Sequence, residues 1–533
     1  MQSLQKMYRR RISGREIITH ELTRQLAAIS HEIRKQVALL ITRKGEIAYV
    51  VVGDYKQVQL PDLKDYSPGL GRLRGLRCIH THLHNEDLSN DDLTNLVLLS
   101  LDLMACIRVD ENGIPGAIEY AHILPENKKD EKWSVARVAD IGRLRADFTD
   151  LIQALEAEFS RRSRTHKLTK KEKAILIGVT TAPAYKAKDS MNELRDLARS
   201  NNLEVVDMIL QHVHEINARF LIGKGKLQEI VLRALQTGTE LLVFDNELTP
   251  TQVRSLTDAT DLKIIDRSQL ILDIFARRAI TREGKIQVEL AQLKYLLPRL
   301  ATKNTAMSRL TGGIGGRGPG ETKLEINRRR AFERITRLND ELEAVKRQRQ
   351  ERRRLRNNRG LPILSIVGYT NAGKSTLLNT LTHSQVKAED RLFATLDPSS
   401  RRLRFPRERE VIITDTVGFI RSLPDDLMKA FAATLEELQD ADLLLHVVDA
   451  AGPRLAEQIR TVEKILKQLE LHQKPSLLLL NKSDLLDPLE TAALAKEWNG
   501  IPIAAVNPQS LHPLLRRIEH FLWPQEIDRV DFL

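Results

Sequence analysis

Cysteine and aromatic residues are scarce in this 533-residue chain. Its two cysteines, Cys78 and Cys106, are too few for a framework of structural disulfides, which suits a reducing compartment. Aromatic residues make up only 4% of the sequence, which argues against recognition of single-stranded nucleic acid by stacking on its bases. No apolar run is long enough to cross a bilayer, and no signal-peptide core follows the basic first residues. These absences predict a cytoplasmic protein without an integral membrane segment, and they leave peripheral membrane attachment open.

Basic residues outnumber acidic ones by 83 to 71 and give a formal net charge of +12. This excess favours an anionic partner, and we expect RNA rather than DNA. At about 150 residues per domain, the length predicts three or four domains. The hydrophobic content of 42% is typical of a globular chain, which we expect to be a monomer.

A glycine-rich octapeptide lies between an apolar run at 363–367 and a predicted helix. Its spacing, G-x-x-x-x-G-K-S, is that of a phosphate-binding P-loop. Glycine lets backbone N–H groups approach an anion, Lys374 adds charge at the β- and γ-phosphates, and Ser375 offers a hydroxyl to Mg²⁺. The residues assigned to the nucleotide here are Gly368, Tyr369, Thr370, Asn371, Ala372, Gly373, Lys374, Ser375 and Thr376.

A second motif, D-x-x-G, ends the next predicted strand. Asp415 is expected near the Mg²⁺ shell, and the amide of Gly418 near the γ-phosphate. Thr395 lies between the P-loop and this motif, where a threonine closes the Mg²⁺ shell when the γ-phosphate is present. The predicted catalytic residues are Lys374, Thr395 and Gly418, and the predicted Mg²⁺ ligands are Ser375 and Thr395.

A third motif, N-K-x-D, selects the base. It consists of Asn481, Lys482 and Asp484 and follows another apolar strand. The Asp484 carboxylate can accept two hydrogen bonds from guanine, whereas adenine offers no such pair of donors at that edge. The three motifs in this order predict a GTPase that binds GTP and GDP.

Before the P-loop, alternating strand and helix patterns give way to long helices. Alternation from 174 to 265 predicts a small parallel α/β sheet. Residues 223–226, Gly-Lys-Gly-Lys, could hold an anion at a helix N-terminus, but a plain turn explains them equally well. Residues 266–297, closed by Pro298, and residues 323–356 predict two helices of an antiparallel hairpin.

Arginines crowd the second long helix and flank the glycine-rich residues 312–321. Because arginine pairs with phosphate in a bidentate manner, this stripe favours binding to an RNA backbone. A solvated helix face is the alternative, since charge runs often have no other role. The candidate RNA-binding residues are Arg317, Arg328, Arg329, Arg330, Arg352 and Arg353.

The chain resembles the HflX family of translational GTPases over about residues 175–522. The matching stretches are 287–293, 312–321, 368–375, 393–398, 415–420 and 481–484. The resemblance implies a multidomain α/β fold with an HflX N-terminal α/β subdomain, a helical hairpin and a Ras-like P-loop G domain. It also implies binding to the large ribosomal subunit and its rRNA, GTP hydrolysis stimulated there, and splitting or rescue of stalled ribosomes under stress. ATP use through the N-terminal part, reported for some members, is left open.

Some positions depart from the family pattern. Asn327 stands where an acid is expected before the arginines. The motif that backs the guanine is poorly matched at 504–507, where Ala505 and Val506 are the assigned contacts. This mismatch predicts reduced affinity for the base.

Catalysis has a gap at Phe419, which follows D-x-x-G where Ras-type proteins carry a water-orienting glutamine. Phenylalanine cannot polarise water, so we expect slow intrinsic hydrolysis and a missing group supplied by a partner. Asn371 is one source of help, because an amide at this P-loop position helps to hold K⁺ in several G proteins that lack the glutamine. A hydrogen bond that only shapes the loop is the equal alternative for Asn371.

The first part of the chain carries a possible metal signature at His80, His82, Ser89 and Asp92. With its layout of hairpin, strand, H-x-H and helix, it resembles the zinc signature of JAB/MPN-type (RadC-like) domains. The glutamate that serves that family as general base has no clear counterpart. We therefore expect a relative in fold without catalysis, with a zinc hydrolase as the alternative.

Composition shifts divide the chain into five predicted segments. These are an N-terminal extension, the HflX N-terminal subdomain, the helical hairpin with its glycine-rich loop, the G domain and a tail, at 1–165, 170–268, 269–359, 360–524 and 525–533. Two other function classes stay open: an RNA-remodelling, helicase-like nucleotidase that uses the N-terminal segments, and a regulatory G-protein scaffold. The lack of a second P-loop counts against the nucleotidase.

Overall fold

The computed structural model divides into two compact units. Unit 1 is Met1–Leu194 with Asn202–Asp266, and unit 2 is Arg195–Asn201 with Arg267–Leu533. The described residues are 2–61, 63–66, 72–125, 131–164, 171–301, 323–357, 361–382, 393, 399–405, 409–416, 418–421 and 436–524. Within these ranges no helix is long and apolar enough to cross a membrane. The five-segment division stays a prediction, and its tail at 525–533 lies outside the described residues.

Unit 1 begins with a six-stranded mixed sheet in the order β2-β1-β3-β4-β5-β6. Strands β3 and β4 are parallel, and the other neighbouring pairs are antiparallel. The strands are β1 (Val37–Thr42), β2 (Ile47–Val52), β3 (Leu76–His82), β4 (Leu103–Val109), β5 (Pro115–Ile123) and β6 (Trp133–Val138). The helices are α1 (Gln2–Met7), α2 (His20–Ile33), α3 (Asn90–Leu98) and α4 (Phe148–Arg164). The predicted sequence of hairpin, strand and helix is confirmed.

A second sheet follows, with four parallel strands in the order β10-β9-β7-β8. Its strands are β7 (Lys173–Thr180), β8 (Glu204–His212), β9 (Leu241–Phe244) and β10 (Lys263–Asp266). The helices of this region are α5 (Ala184–Ser200), α6 (Lys224–Thr237) and α7 (Pro250–Ala259). The predicted small parallel α/β sheet is confirmed.

One hydrophobic core runs through both sheets of unit 1. Leu39 of β1, Ile79 of β3, Ile177 of β7 and Phe244 of β9 are fully buried in it. Helices α3 and α4 pack against α6, so the N-terminal layer and the parallel sheet are joined by side chains as well as by the chain. Burial of this apolar surface is the main force that holds the two layers together.

Unit 2 begins with three helices: α8 (Arg267–Arg278), α9 (Arg282–Ala301) and α10 (Lys323–Asn357). The prediction of one helix over 266–297 is wrong, because the chain breaks at 279–281. There Thr281 accepts a hydrogen bond at its Oγ1 from the backbone N–H of Gly284, at 3.0 Å, and so starts a new helix. Pro298 does not close α9 but lies inside its last turn, and the helix ends three residues later at Ala301. Because proline has no backbone N–H, one helical hydrogen bond is missing there.

Helices α9 and α10 pack side by side in opposite directions. Arg282 pairs with Glu341, and Arg334 grips the Glu289 carboxylate with two hydrogen bonds of 2.7 and 2.8 Å. Beside these pairs a small apolar cluster is formed by Ile286, Leu290, Leu338 and Leu342. The antiparallel hairpin is confirmed, while its predicted glycine-rich tip lies outside the described residues.

The G domain has a six-stranded sheet in the order β12-β13-β11-β14-β15-β16, in which only β12 runs antiparallel to its neighbour. The strands are β11 (Ile363–Gly368), β12 (Ser399–Phe405), β13 (Arg409–Asp415), β14 (Leu443–Asp449), β15 (Ser476–Asn481) and β16 (Ile501–Pro502). The helices are α11 (Lys374–Thr382), α12 (Leu455–Gln468), α13 (Pro488–Trp498) and α14 (His512–Leu522). The three nucleotide motifs therefore meet at the carboxyl edge of this sheet, where open α/β sheets bind ligands.

Candidate nucleotide site

The P-loop joins β11 to α11, and two of its positions accept only glycine. Gly368 has a φ of 153°, and a Cβ there would lie 2.2 Å from the carbonyl oxygen of Val447. Gly373 has a φ of 93°, and a Cβ there would lie 2.2 Å from Nδ2 of Asn481. The loop thus has the backbone shape that aims successive N–H groups at a phosphate.

Lys374 is the first residue of α11, and its side chain is buried. Its Nζ donates a hydrogen bond of 2.7 Å to the carbonyl oxygen of Tyr369. Burial lowers the pKa of Lys374 to about 8, although the charge of Asp415 acts in the opposite direction. A phosphate oxygen would replace the carbonyl as acceptor and stabilise the charged form.

Ser375 and Asp415 supply the oxygen pair expected of a Mg²⁺ site. The Ser375 hydroxyl donates to Oδ2 of Asp415 at 2.8 Å, and Asp415 is fully buried at the end of β13. Mg²⁺ prefers oxygen ligands, usually one or two from the protein together with phosphate oxygens. The two side chains therefore fit this ion, and the other predicted ligand, Thr395, lies outside the described residues.

Phe419 is fixed against the P-loop by the backbone. The N–H of Thr370 donates to the carbonyl oxygen of Phe419 at 2.7 Å, and the N–H of Phe419 donates to that of Gly368 at 3.1 Å. The Phe419 residue is 2% exposed. A Cβ on the neighbouring Gly418 would lie 2.9 Å from Nζ of Lys374, so this glycine keeps the space beside the lysine open.

Asn481 connects three loops of the site, a role that its motif alone did not indicate. Its Nδ2 donates to the carbonyl oxygen of Ala372 at 2.7 Å, and its Oδ1 accepts from the N–H of Ala505 at 2.9 Å. Ala505 thus lies at the site through its backbone. In contrast, Val506 is 71% exposed.

The other two residues of the base motif lie at the surface of the site. Lys482 donates to Oδ2 of Asp449 at 2.6 Å, which ties the ends of β14 and β15 together. Asp484 is exposed at the start of a short 3₁₀ turn. Its carboxylate is therefore accessible to a base.

Phe393, two residues before Thr395, makes contacts that the sequence did not predict. The ring of Phe393 is buried and meets that of Phe275 edge to face, with centroids 4.6 Å apart. Arg278 donates a hydrogen bond of 2.5 Å from Nη1 to the carbonyl oxygen of Phe393. Both partners lie on α8, more than a hundred residues away in sequence, so no local pattern could have indicated the contact.

The candidate RNA-binding arginines are only partly described. Arg328, Arg329 and Arg330 are exposed on α10. Arg352 and Arg353 lie on the same helix, but their side chains are not described. Arg317 lies outside the described residues. Asn371 is exposed with a φ of 62°, a conformation that its short polar side chain tolerates.

The histidines of the N-terminal layer come together with Asp92. One nitrogen each of His80 and His82 and one Asp92 carboxylate oxygen lie within 4.8 Å of one another. Ser89 hydrogen-bonds to Asp92 and also caps α3. The spacing of these residues in the sequence therefore does place them in one cluster.

Three family models match consecutive parts of the chain. They are described as "GTP-binding GTPase N-terminal" at 188–276, "GTP-binding GTPase Middle Region" at 278–356 and "50S ribosome-binding GTPase" at 363–482. They follow the parallel sheet, the helical hairpin and the G domain in turn. The first 187 residues lie outside these three matches.

Curated relatives of this chain bear the name GTPase HflX, and two of them serve as examples. That of Caldanaerobacter subterraneus subsp. tengcongensis is 47% identical over 363 residues, which cover 68% of this chain and 83% of the relative. That of Escherichia coli K12 is 44% identical over 354 residues, covering 65% and 83%. Among solved structures, a GTP-binding protein from Sulfolobus solfataricus in complex with GDP is 26% identical in sequence. The match covers 66% of this chain and 98% of that protein chain, with a TM-score of 0.38. On the identity and coverage of its relatives, the chain belongs to the HflX GTPase family.

Proposed function

We propose that this protein hydrolyses GTP in an Mg²⁺-dependent cycle that the large ribosomal subunit stimulates, and that the cycle splits or rescues stalled ribosomes under stress. The observation that carries the proposal is the presence of the P-loop, D-x-x-G and N-K-x-D motifs together with Phe419 in the place of the water-orienting glutamine. Phe419 is buried and its backbone is hydrogen-bonded to the P-loop, so we assign its side chain a structural role. The group that orients the attacking water must then come from elsewhere.

Each site residue has a definite task in this proposal. Lys374 and the P-loop N–H groups bind the β- and γ-phosphates, and Asp484 binds the guanine edge. Ser375, Asp415 and Thr395 would hold the Mg²⁺, which would neutralise the charge that develops on the β- and γ-phosphate oxygens. Hydrolysis without a partner is slow, because positioning of the water is the part that the chain lacks.

K⁺ is the second proposed cofactor, held by Asn371. The exposed amide of Asn371 at the turn of the P-loop supports this assignment. The test compares GTP hydrolysis in K⁺ and in Na⁺ for the wild-type protein and for Asn371→Ala. Asn202→Ala is the control, since Asn202 is exposed at a φ of 63° and lies outside the nucleotide motifs. We expect K⁺ to accelerate GTP hydrolysis by the wild type and by the control, but not by Asn371→Ala. An equal K⁺ effect in Asn371→Ala would refute the assignment.

The proposed ribosome contact is the arginine run of α10, defined here as Arg328, Arg329 and Arg330. Three adjacent exposed arginines suit a phosphate backbone. Replacing all three by glutamate should abolish co-sedimentation with large subunits in the presence of a non-hydrolysable GTP analogue. The control reverses the exposed Arg516 and Arg517 on α14 and should still bind. Loss of binding in both variants would point to net charge and against this surface.

We also propose that the N-terminal mixed sheet is a relative of JAB/MPN domains in fold. The supporting features are the hairpin of β1 and β2, the H-x-H sequence at the end of β3 and the helix α3 that follows it. Hydrolysis is not assigned to this layer. An experimental structure of the full-length protein with a different strand order in this sheet would contradict the relationship.

A further inference from the structure

Thr370 of the P-loop has a buried hydroxyl without a hydrogen bond. The residue is 5% exposed, and its Oγ1 has no hydrogen-bond partner among the residues that the structure describes. A buried hydroxyl that lacks a partner destabilises the folded chain, whereas a ligand oxygen beside it would remove that penalty. The side chain of Thr370 therefore indicates a partner that does not belong to the chain.

Other threonines of the G domain use their hydroxyls within the chain. Thr416 donates to the carbonyl oxygen of Ile366 at 2.7 Å. Thr382 donates to the carbonyl oxygen of Leu378, also at 2.7 Å. Such bonds to a nearby carbonyl are the usual way in which threonine hydroxyls are satisfied. Thr370 departs from this pattern at the very loop where a phosphate is expected.

The backbone holds Thr370 in one position. Its N–H donates to the carbonyl oxygen of Phe419 at 2.7 Å, and the N–H of Phe419 donates to the carbonyl oxygen of Gly368 at 3.1 Å. A parallel bridge also pairs Tyr369 with Phe419. The fold therefore sets the place of the Thr370 Cβ, and only rotation about the Cα–Cβ bond is left to the side chain.

The Thr370 side chain meets two groups that are assigned to the terminal phosphate. A Cβ added to Gly418 would lie 2.8 Å from Cγ2 of Thr370 and 2.9 Å from Nζ of Lys374. Lys374 is the residue that reaches the β- and γ-phosphates, and the amide of Gly418 is expected near the γ-phosphate. Thr370 therefore lies on the γ-phosphate side of the loop.

Rotation of the side chain brings the hydroxyl to this place. The methyl carbon Cγ2 is the side-chain atom of Thr370 that faces Gly418. Methyl and hydroxyl are attached to the same carbon, and the staggered rotamers exchange their positions. Because Oγ1 has no hydrogen-bond partner within the described ranges, this rotation breaks no hydrogen bond there.

We propose that the Thr370 hydroxyl donates a hydrogen bond to a γ-phosphate oxygen of GTP and so distinguishes GTP from GDP. The backbone N–H groups of the P-loop and Lys374 also contact the β-phosphate, which both nucleotides carry, whereas GDP has no group for this hydroxyl. The inference rests on the proposed function, because it requires bound GTP. One hydrogen bond to a charged oxygen corresponds to about tenfold in affinity.

Equilibrium titration of the full-length protein tests the contact. The probes are fluorescent GDP and a fluorescent, non-hydrolysable GTP analogue. Thr370→Val removes the hydroxyl and keeps the shape, whereas Thr370→Ser keeps the hydroxyl. The matched control is Thr461→Val on α12, which removes a hydroxyl that donates to the carbonyl oxygen of Glu457 at 2.8 Å.

We expect Thr370→Val to bind the GTP analogue about tenfold more weakly than the wild type, and to bind GDP equally well. Thr370→Ser and Thr461→Val should keep the wild-type ratio of the two affinities. Unchanged binding of the GTP analogue by Thr370→Val would overturn the proposal. An equal loss for both nucleotides would also overturn it, because a residue that only shapes the loop acts on both.

Hydrolysis and thermal unfolding give a second readout. Because intrinsic hydrolysis is expected to be slow, KM follows the dissociation constant, and Thr370→Val should raise KM for GTP about tenfold while changing kcat far less. Its unfolding temperature without nucleotide should not fall, and a clear fall would overturn the proposal in favour of a structural role. A wild type that binds neither nucleotide would refute the proposed GTPase cycle as well, so the two failures are distinguishable.

Discussion

The nucleotide site of the G domain and the His–Asp cluster of the N-terminal layer both lie at the end of a buried β-strand, but they use different parts of the chain. The P-loop offers backbone N–H groups from consecutive residues, and its shape depends on Gly368 and Gly373 having no side chain. The cluster consists of three side chains carried by a strand and a helix. The backbone part of the loop site is therefore sensitive to added atoms, whereas a side-chain site is sensitive to removed atoms.

Loss of the charged side chain of the P-loop should produce the largest effect. Lys374→Ala removes a buried charge beside the phosphates, and a hydrogen bond to a charged group contributes roughly 1.5–3 kcal/mol. We expect GTP affinity to fall about 100-fold, measured by titration with a fluorescent GTP analogue. The matched control is Lys224→Ala, an exposed lysine that opens α6 as Lys374 opens α11. A comparable loss of GTP affinity in the control would show that the effect is not specific to the lysine of the P-loop.

The second largest effect should come from a methyl group added to the P-loop. Gly373→Ala places a Cβ against Nδ2 of Asn481 at a positive φ, a strain of about 1–3 kcal/mol. We expect affinity for GTP to fall about tenfold in the same titration. Gly225→Ala is the control, since a Cβ there meets nothing within 4 Å. If Gly373→Ala binds GTP normally, the loop does not depend on the missing side chain.

The pH dependence of binding should sharpen the role of Lys374. Its pKa is about 8 in the free protein, so the side chain is charged below that pH and neutral above it. Bound phosphate favours the charged form, so affinity should fall about tenfold from pH 7 to pH 9 and binding should take up a proton. Calorimetry in buffers of different ionisation enthalpy measures that proton. A flat profile would show that Lys374 is already charged throughout this range.

The smallest effect should come from the cap of α3. Ser89→Ala removes a capping box whose loss costs about 1 kcal/mol of stability. We expect a slightly lower unfolding temperature for unit 1 and an unchanged rate of GTP hydrolysis. A change in hydrolysis after this substitution would show that the two regions are coupled more strongly than proposed.

The parts of the structure that the sequence predicts well are local. The P-loop, D-x-x-G and N-K-x-D motifs are short, and the apolar runs before them place each at the end of a strand. The parallel sheet and the helical hairpin follow from periodicity in the same way. The break at 279–281 was missed because apolar periodicity continues across it, while the cap at Thr281 is a single hydroxyl.

The contacts that the sequence could not predict join distant residues. Phe393 meets Phe275 and Arg278 because α8 lies beside the G domain within unit 2. Asn481 bonds to Ala372 more than a hundred residues earlier. The convergence of His80, His82 and Asp92 could be predicted in part. The spacing suggested a cluster, but only the turn after β3 brings Asp92 back to the histidines.

We propose that fast GTP hydrolysis requires a water-orienting group from a partner, because Phe419 stands where that group would otherwise lie. The direct measurement is the GTP turnover rate of the full-length protein with and without purified large ribosomal subunits, in K⁺. We predict slow turnover alone and a strong increase with large subunits, and no increase with small subunits. Fast turnover in the absence of ribosomes, or no response to large subunits, would contradict the account.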